Sequence, residues 1–188
     1  GIDMPNLYVL LTRSPTLVSK TVHLFTGDAY THASIAYDDA LSTLCSFTRR
    51  YPAFPLPAGL AHENTPGSYL RLHPYMQCVL LRLEATDEVY GAVRRKIEEM
   101  LAEKEKYRFS IGGLFRCRMG VESKLNTRYF CSYFVAYVLE TCGAATLPRS
   151  PSLMRPQDFL ALPGLERVYE GRMAGLLRRR SRPDSTKR

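Results

Sequence analysis

The sequence predicts an α+β domain: an antiparallel sheet with helices packed on one side. Two kinds of stretch carry that prediction. Residues 7–11, 31–37, 44–48 and 76–84 are short apolar runs or alternate with period two, as strands do. Residues 86–107 and 129–143 repeat apolar side chains at helical spacing. With 188 residues and 45% hydrophobic content, the chain can bury one ordinary core. One domain is therefore expected over 1–177, followed by a basic tail at 178–188.

Taken in order, Leu7 to Leu11 (Leu-Tyr-Val-Leu-Leu) is a buried strand. Ser14-Pro15 then opens a helix, with Ser as cap and Pro at the first helical position. Leu17, Val18, Val22 and Phe25 continue it to a stop at Gly27-Asp28. Thr31 to Tyr37 alternates as a strand, Asp38-Asp39 turns the chain, and Leu44 to Thr48 is the hairpin partner. Residues 49–75 hold five prolines and two glycines and read as a long covering loop. Met76 to Glu84 is a central or near-central strand. Thr86, Asp87 and Glu88 start a helix whose face is Val89, Val93, Ile97, Met100 and Leu101, ending near Tyr107. Residues 108–126, with Gly112-Gly113 and Gly120, are irregular. They lead into the helix of 129–143, where Asn126 and Thr127 are candidate caps and Gly143 suits a left-handed C-cap. Pro148, Pro151 and Pro156 keep the following chain extended, Gln157 to Leu162 forms a helical turn, and Leu165 to Tyr169 is the last strand.

Composition removes several function classes. The formal charge is +8, but the last eleven residues carry +5 of it, so the body is only mildly basic. The tail, with no apolar residue apart from its proline, is expected to be disordered and suited to touching anionic surfaces. No basic-aromatic motif marks a nucleic-acid module on the body. No segment approaches the roughly 18 unbroken apolar residues of a membrane span. Five cysteines at 45, 78, 117, 131 and 142 form neither a disulfide framework nor a zinc motif, so no metal and no cofactor is expected. A reducing cytoplasm fits them. Gly1 to Pro5 lacks the build of a secretory signal, which leaves open one removed earlier.

Cys131 falls in the first turn of its helix, where unpaired N–H groups and the positive end of the dipole favour thiolate over thiol. Its alternative reading is a small core residue. Thiol chemistry needs a base, and histidine is the usual one. Of the four, His23 lies within the first helix, His62 in the proline-rich loop and His73 beside Pro74. His32 begins a strand, from which its ring can project toward a helix N-terminus.

Thr31 to Tyr37 (Thr-His-Ala-Ser-Ile-Ala-Tyr) followed far downstream by Tyr129 to Ala136 (Tyr-Phe-Cys-Ser-Tyr-Phe-Val-Ala) resembles the permuted branch of the NlpC-type papain-like superfamily. That branch holds the YiiX/YaeF-type amidases and, more distantly, lecithin retinol acyltransferase relatives. Its members carry histidine before cysteine, the reverse of the ordinary papain-like order. The likeness covers most of residues 6–170 and excludes the basic tail. It implies a permuted papain-like fold with Cys131 as nucleophile and His32 as general base.

The resemblance also implies an orienting residue on the strand after the histidine strand, where relatives place Glu, His, Asn or Gln. The matching Leu44 to Thr48 offers only hydroxyls and a thiol. Ser46 is one candidate, though a hydroxyl cannot stabilise an imidazolium as a carboxylate does; Glu63 and Asn64 of the loop are the others. Tyr8 and Tyr30 are candidate substrate-binding or oxyanion-donating side chains beside the Cys131 N–H. The expected activity is acyl transfer or hydrolysis of an amide, ester or thioester in a peptide or acyl-bearing substrate, through an acyl-enzyme. The competing expectation, resting on the missing carboxylate, is a silent papain-like module that binds a peptide or acyl chain. An adaptor built on the basic tail is a third.

Overall fold

The computed structural model describes residues 3–13, 27–51, 54–109, 116–117, 119–120 and 128–181. The helix expected from Ser14 to Phe25, including His23, lies outside the described residues, as does most of 108–126.

Six strands form one antiparallel sheet: β1 (Asn6–Arg13), β2 (His32–Ala36), β3 (Cys45–Tyr51), β4 (Phe54–His62), β5 (Gln77–Glu84) and, after two short intervening strands, β8 (Leu165–Arg172). Their spatial order is β4-β3-β2-β1-β5-β8. β1 is central because Leu7 to Leu11 is apolar on both faces and both faces are covered. Its register with β2 runs from Tyr8↔Ala36 to Thr12↔His32, and with β5 from Asn6↔Glu84 to Arg13↔Gln77. The Asp38 carboxylate closes the turn after β2 by accepting from the N–H groups of Ser42 and Thr43.

Part of the stretch expected to be a loop is strand. β4 pairs with β3 from Tyr51↔Phe54 to Cys45↔His62, with a bulge between Arg49 and Tyr51. Prolines at 55 and 57 suggested a break, but β4 is an edge strand, and edges tolerate residues that cannot donate to a ladder. After His62 the chain turns into the one-turn helix α1 (Tyr69–Leu72).

Helix α2 (Asp87–Ala102) begins as expected: the Thr86 hydroxyl accepts from the Val89 N–H, and Asp87 and Glu88 sit at the positive end. It stops at Ala102, short of Tyr107, where a 3-10 turn (Lys104–Lys106) takes over. Two short strands, β6 (Arg108–Phe109) and β7 (Arg128–Tyr129), pair in parallel and deliver the chain to helix α3 (Cys131–Thr141). Gly143, at φ +70°, ends α3: its N–H donates to the Glu140 carbonyl and that of Ala144 to Leu139, a Schellman closure. Two of the three prolines expected to keep the following chain extended do not. Pro151 and Pro156 instead open 3-10 turns over Pro151–Leu153 and Pro156–Ala161, since proline fits a first helical position.

Helices cover both faces of the sheet rather than one. The first face carries Leu7, Val9, Leu11, Ala33, Ile35 and Phe47, packed against α2 and α3. Phe134 of α3 meets Phe47 edge-on at 5.8 Å. α3 buries Phe134, Val135, Val138 and Leu139 completely, each contributing about 1.5–3 kcal/mol of transfer free energy. The second face carries Tyr8, Leu10, Ala36, Leu44 and Leu80 beneath Leu70 of α1 and helix α4 (Met173–Ser181).

α4 corrects the reading of the tail. Residues 178–181, expected to be disordered, form the last turn of a helix anchored by Met173 and Leu176. The Arg179 guanidinium lies 5.2 Å from the Tyr169 ring and that of Arg180 lies 4.9 Å from Tyr8, so aromatic faces hold the arginines. Residues 182–188 lie outside the described residues.

Candidate active site

Strand alternation decides what meets at the start of β2. His32, Ser34 and Ala36 share one face; Ala33 and Ile35 share the other. β2 and β3 bridge only at Ile35↔Cys45. By period two, Ala33 turns its peptide groups toward β3 as Ile35 does, yet no ladder continues there. Its carbonyl instead accepts from the Ser46 hydroxyl at 2.6 Å, and its N–H helps to hold the Cys131 thiol down.

Cys131 is the first residue of α3. Phe130, the N-cap, is an aromatic with no side-chain capping bond, so the N-cap itself does not occupy the first-turn N–H groups. The expected caps, Asn126 and Thr127, lie outside the described residues. Burial pushes the Cys131 thiol up, but the charge and hydrogen bond of His32 outweigh it, helped by the N–H groups of Ala33 and Ser132. The thiol therefore sits below its ordinary value. The other cysteines go the opposite way: burial lifts Cys45 and Cys142, pushes Cys78 up to about 12 and Cys117 up to about 11. All five are free of disulfides.

His32 shows the complementary shift. Burial lowers it, but the charges of Glu63 and Cys131 and the bonds to both raise it well above its ordinary 6.5. Both shifts favour the thiolate–imidazolium form of the pair, whose titration belongs to both groups together.

A carboxylate, that of Glu63, lies against the far side of His32. Its Oε1 lies 2.5 Å from His32 Nε2, with side chains 4% and 21% exposed respectively. Nε2 being taken, Nδ1 is the nitrogen left for the thiolate. Glu63 arrives because β4 ends at His62, opposite Cys45, and the next N–H donates to the Leu44 carbonyl at 2.8 Å. The same carboxylate accepts from the fully buried Ser34 hydroxyl through its other oxygen.

Of the sequence candidates, the structure brings together Cys131, His32 and Glu63. Ser46 is buried beside them but spends its proton on the Ala33 carbonyl rather than on the imidazole. Asn64 donates to the Leu41 carbonyl and accepts from Arg71. Tyr8 is a correction. It lies on the second face of the sheet, donates to Asp39 Oδ1 at 2.5 Å, and burial pushes its phenol up to about 12. Tyr30 packs against the first-face core, but its hydroxyl is directed to Glu170 of β8 at 3.5 Å. His62 is exposed, and His73 Nδ1 bonds the Tyr69 carbonyl.

Two features escaped the sequence reading. Ser34 shares the His32 face by period two, a signal present in the sequence. The segment before His32 is held from a distance: Gln157 Oε1 accepts from the N–H groups of Ala29 and Tyr30, and Arg155 pairs with Asp28 at 3.3 Å. Nothing in local spacing announces that contact. Comparison with family models, curated proteins and solved structures gave no match to this chain.

Proposed function

We propose that this chain is a cysteine-dependent hydrolase or acyltransferase of the permuted papain-like class, acting on an amide, ester or thioester through an acyl-enzyme. The observation that carries the reading is the continuous chain Cys131–His32–Glu63, ending in a buried carboxylate. The order of histidine strand before cysteine helix, on an antiparallel sheet, supports the permuted papain-like assignment.

In the proposed cycle, the Cys131 thiolate attacks the carbonyl carbon and the carbonyl electron pair moves onto oxygen. The Cys131 backbone N–H at the start of α3 is the first donor to that oxyanion. Collapse expels the leaving group, which takes the His32 proton, and leaves a thioester on Sγ. His32, now neutral, accepts a proton from water or another acceptor as it attacks the thioester, and Cys131 leaves as thiolate. Glu63 stabilises the imidazolium in the resting state and on its return.

The substrate is a peptide or an acyl-bearing small molecule. No helix among the described residues is long and apolar enough to cross a membrane. We place the protein in the cytoplasm, where unpaired thiols persist. The silent-module alternative drew its support from a missing carboxylate, and the Glu63 carboxylate beside His32 speaks against it.

Site-resolved alkylation with iodoacetamide tests the reading. Cys131 should label rapidly below neutral pH. In His32→Ala labelling should need alkaline pH, because burial then acts on the thiol against only the Ala33 and Ser132 N–H groups. Labelling of Cys131 no faster than of Cys45 or Cys142 would sink the proposal.

A further inference from the structure

We infer that Ser34 is a fourth member of the relay, a positioning residue that holds the Glu63 carboxylate aimed at His32. The inference rests on the proposed function and concerns a residue that never touches the reacting atoms.

The geometry is bidentate. One carboxylate spans two side chains two residues apart on the same face of β2: Oε1 takes His32 Nε2 and Oε2 takes the Ser34 hydroxyl. That spacing fixes the plane of the carboxylate along the strand. A single contact to His32 would leave the group free to rotate about its last torsion, which is broad for a carboxylate.

The setting makes the second contact costly to lose. Ser34 is fully buried and pairs across the sheet with Leu10, also fully buried, on a face otherwise lined by Ala36 and Leu44. A hydroxyl in such a place is unfavourable without a partner, and a buried carboxylate oxygen more so. Each is the other's partner. The remaining titratable neighbour is the Cys45 thiol, which burial and then the Glu63 charge push up; it offers the carboxylate no positive charge. His32 is thus the one cation facing Glu63 among the described residues, and Ser34 the one other side-chain donor.

Without the Ser34 proton, Oε2 is left buried and unpaired. The carboxylate escapes that cost by turning away from β2, which withdraws the negative charge from the imidazolium. The relay then loses support although Cys131, His32 and Glu63 are all present.

The experiment follows the His32 ring resonances by NMR through a pH titration, in the full chain. Ser34→Ala removes one oxygen from a small residue, and a thermal melt checks that the fold survives. Its His32 midpoint should move down by about one pH unit, toward that of Glu63→Gln. Ser34→Thr, which keeps the hydroxyl and suits a strand, should restore it. In the Glu63→Gln background, adding Ser34→Ala should change nothing further, the signature of action through Glu63. A wild-type midpoint in Ser34→Ala, or a shift that persists in the Glu63→Gln background, would overturn the inference. The parent reading has its own outcome: if wild-type Cys131 alkylates no faster than Cys45 below neutral pH, the enzyme assignment fails whatever Ser34 does.

Discussion

Glu63→Gln removes one negative charge from the relay and keeps its shape. The carboxylate lies 2.5 Å from His32 Nε2, with both groups largely out of water. A hydrogen bond to a charged group contributes about 1.5–3 kcal/mol, and each pKa unit corresponds to about 1.4 kcal/mol. His32 should therefore titrate about 1–2 units lower in the variant. The direction follows from the cause: the Glu63 charge raises His32 in the folded chain, so its loss lowers it. The stability consequence has a definite sign. A histidine raised by folding contributes fully below its unfolded value near 6.5, and that contribution drains as pH rises through the folded value. Glu63→Gln should thus be more destabilising at mildly acidic pH than at strongly alkaline pH, where the carboxylate has lost its cation and is a liability in the interior. Ring NMR gives the titration, and urea unfolding at two pH values gives the stability difference. An unchanged His32 midpoint, or a destabilisation that grows with pH, would refute the assignment of Glu63 as partner.

Three further outcomes concern the scaffold. Gly143→Ala places a side chain at φ +70° with nothing within 4 Å of the new methyl, so backbone strain alone should cost about 1 kcal/mol in urea unfolding. Thr86→Ala removes the hydroxyl that accepts from Val89 and should cost about 1 kcal/mol, with no effect on Cys131 alkylation. Phe134→Ala empties the contact with Phe47 under α3 and should cost about 3–5 kcal/mol; thermal melting with site-resolved alkylation would show Cys131 losing its special reactivity as the helix loosens.

Most of the sheet was legible because its strands are either fully buried runs, like Leu7 to Leu11, or strict alternations, like His32 to Ala36. β4 was not, although Phe54, Leu56, Ala58 and Leu60 alternate with period two. Prolines at 55 and 57 read as breakers until the strand proves to lie at an edge, and edge position is a property of the whole sheet. That misreading reached the site. With β4 taken for a loop, Glu63 had no fixed place, and Ser46, on the strand after the histidine, competed with it for the third role. The contest turns on the Ala33 carbonyl, which claims the Ser46 proton where β2 and β3 part. Helix α4 was hidden for a different reason: three consecutive arginines suggest a solvated tail, and only the rings of Tyr169 and Tyr8 show what receives Arg179 and Arg180. Cys131 and His32 sit at a helix start and a strand start, but it was the resemblance to the permuted papain-like order, more than either position alone, that paired them in the sequence.

The separation of β2 from α3 along the chain sets a timetable for reactivity. His32, Ser34 and Glu63 are all made before residue 64, but the sulfur they are proposed to activate is added much later, on a helix seated on the first face of the sheet. Contacts so distant in sequence must meet a larger loop-closure entropy than local ones. Until α3 docks, Cys131 lacks the imidazolium and the Ala33 N–H, and behaves as an ordinary thiol. On the proposed reading, an unfolded chain carries no activated nucleophile, and the reactivity of Cys131 exists only while α3 is seated beside β2.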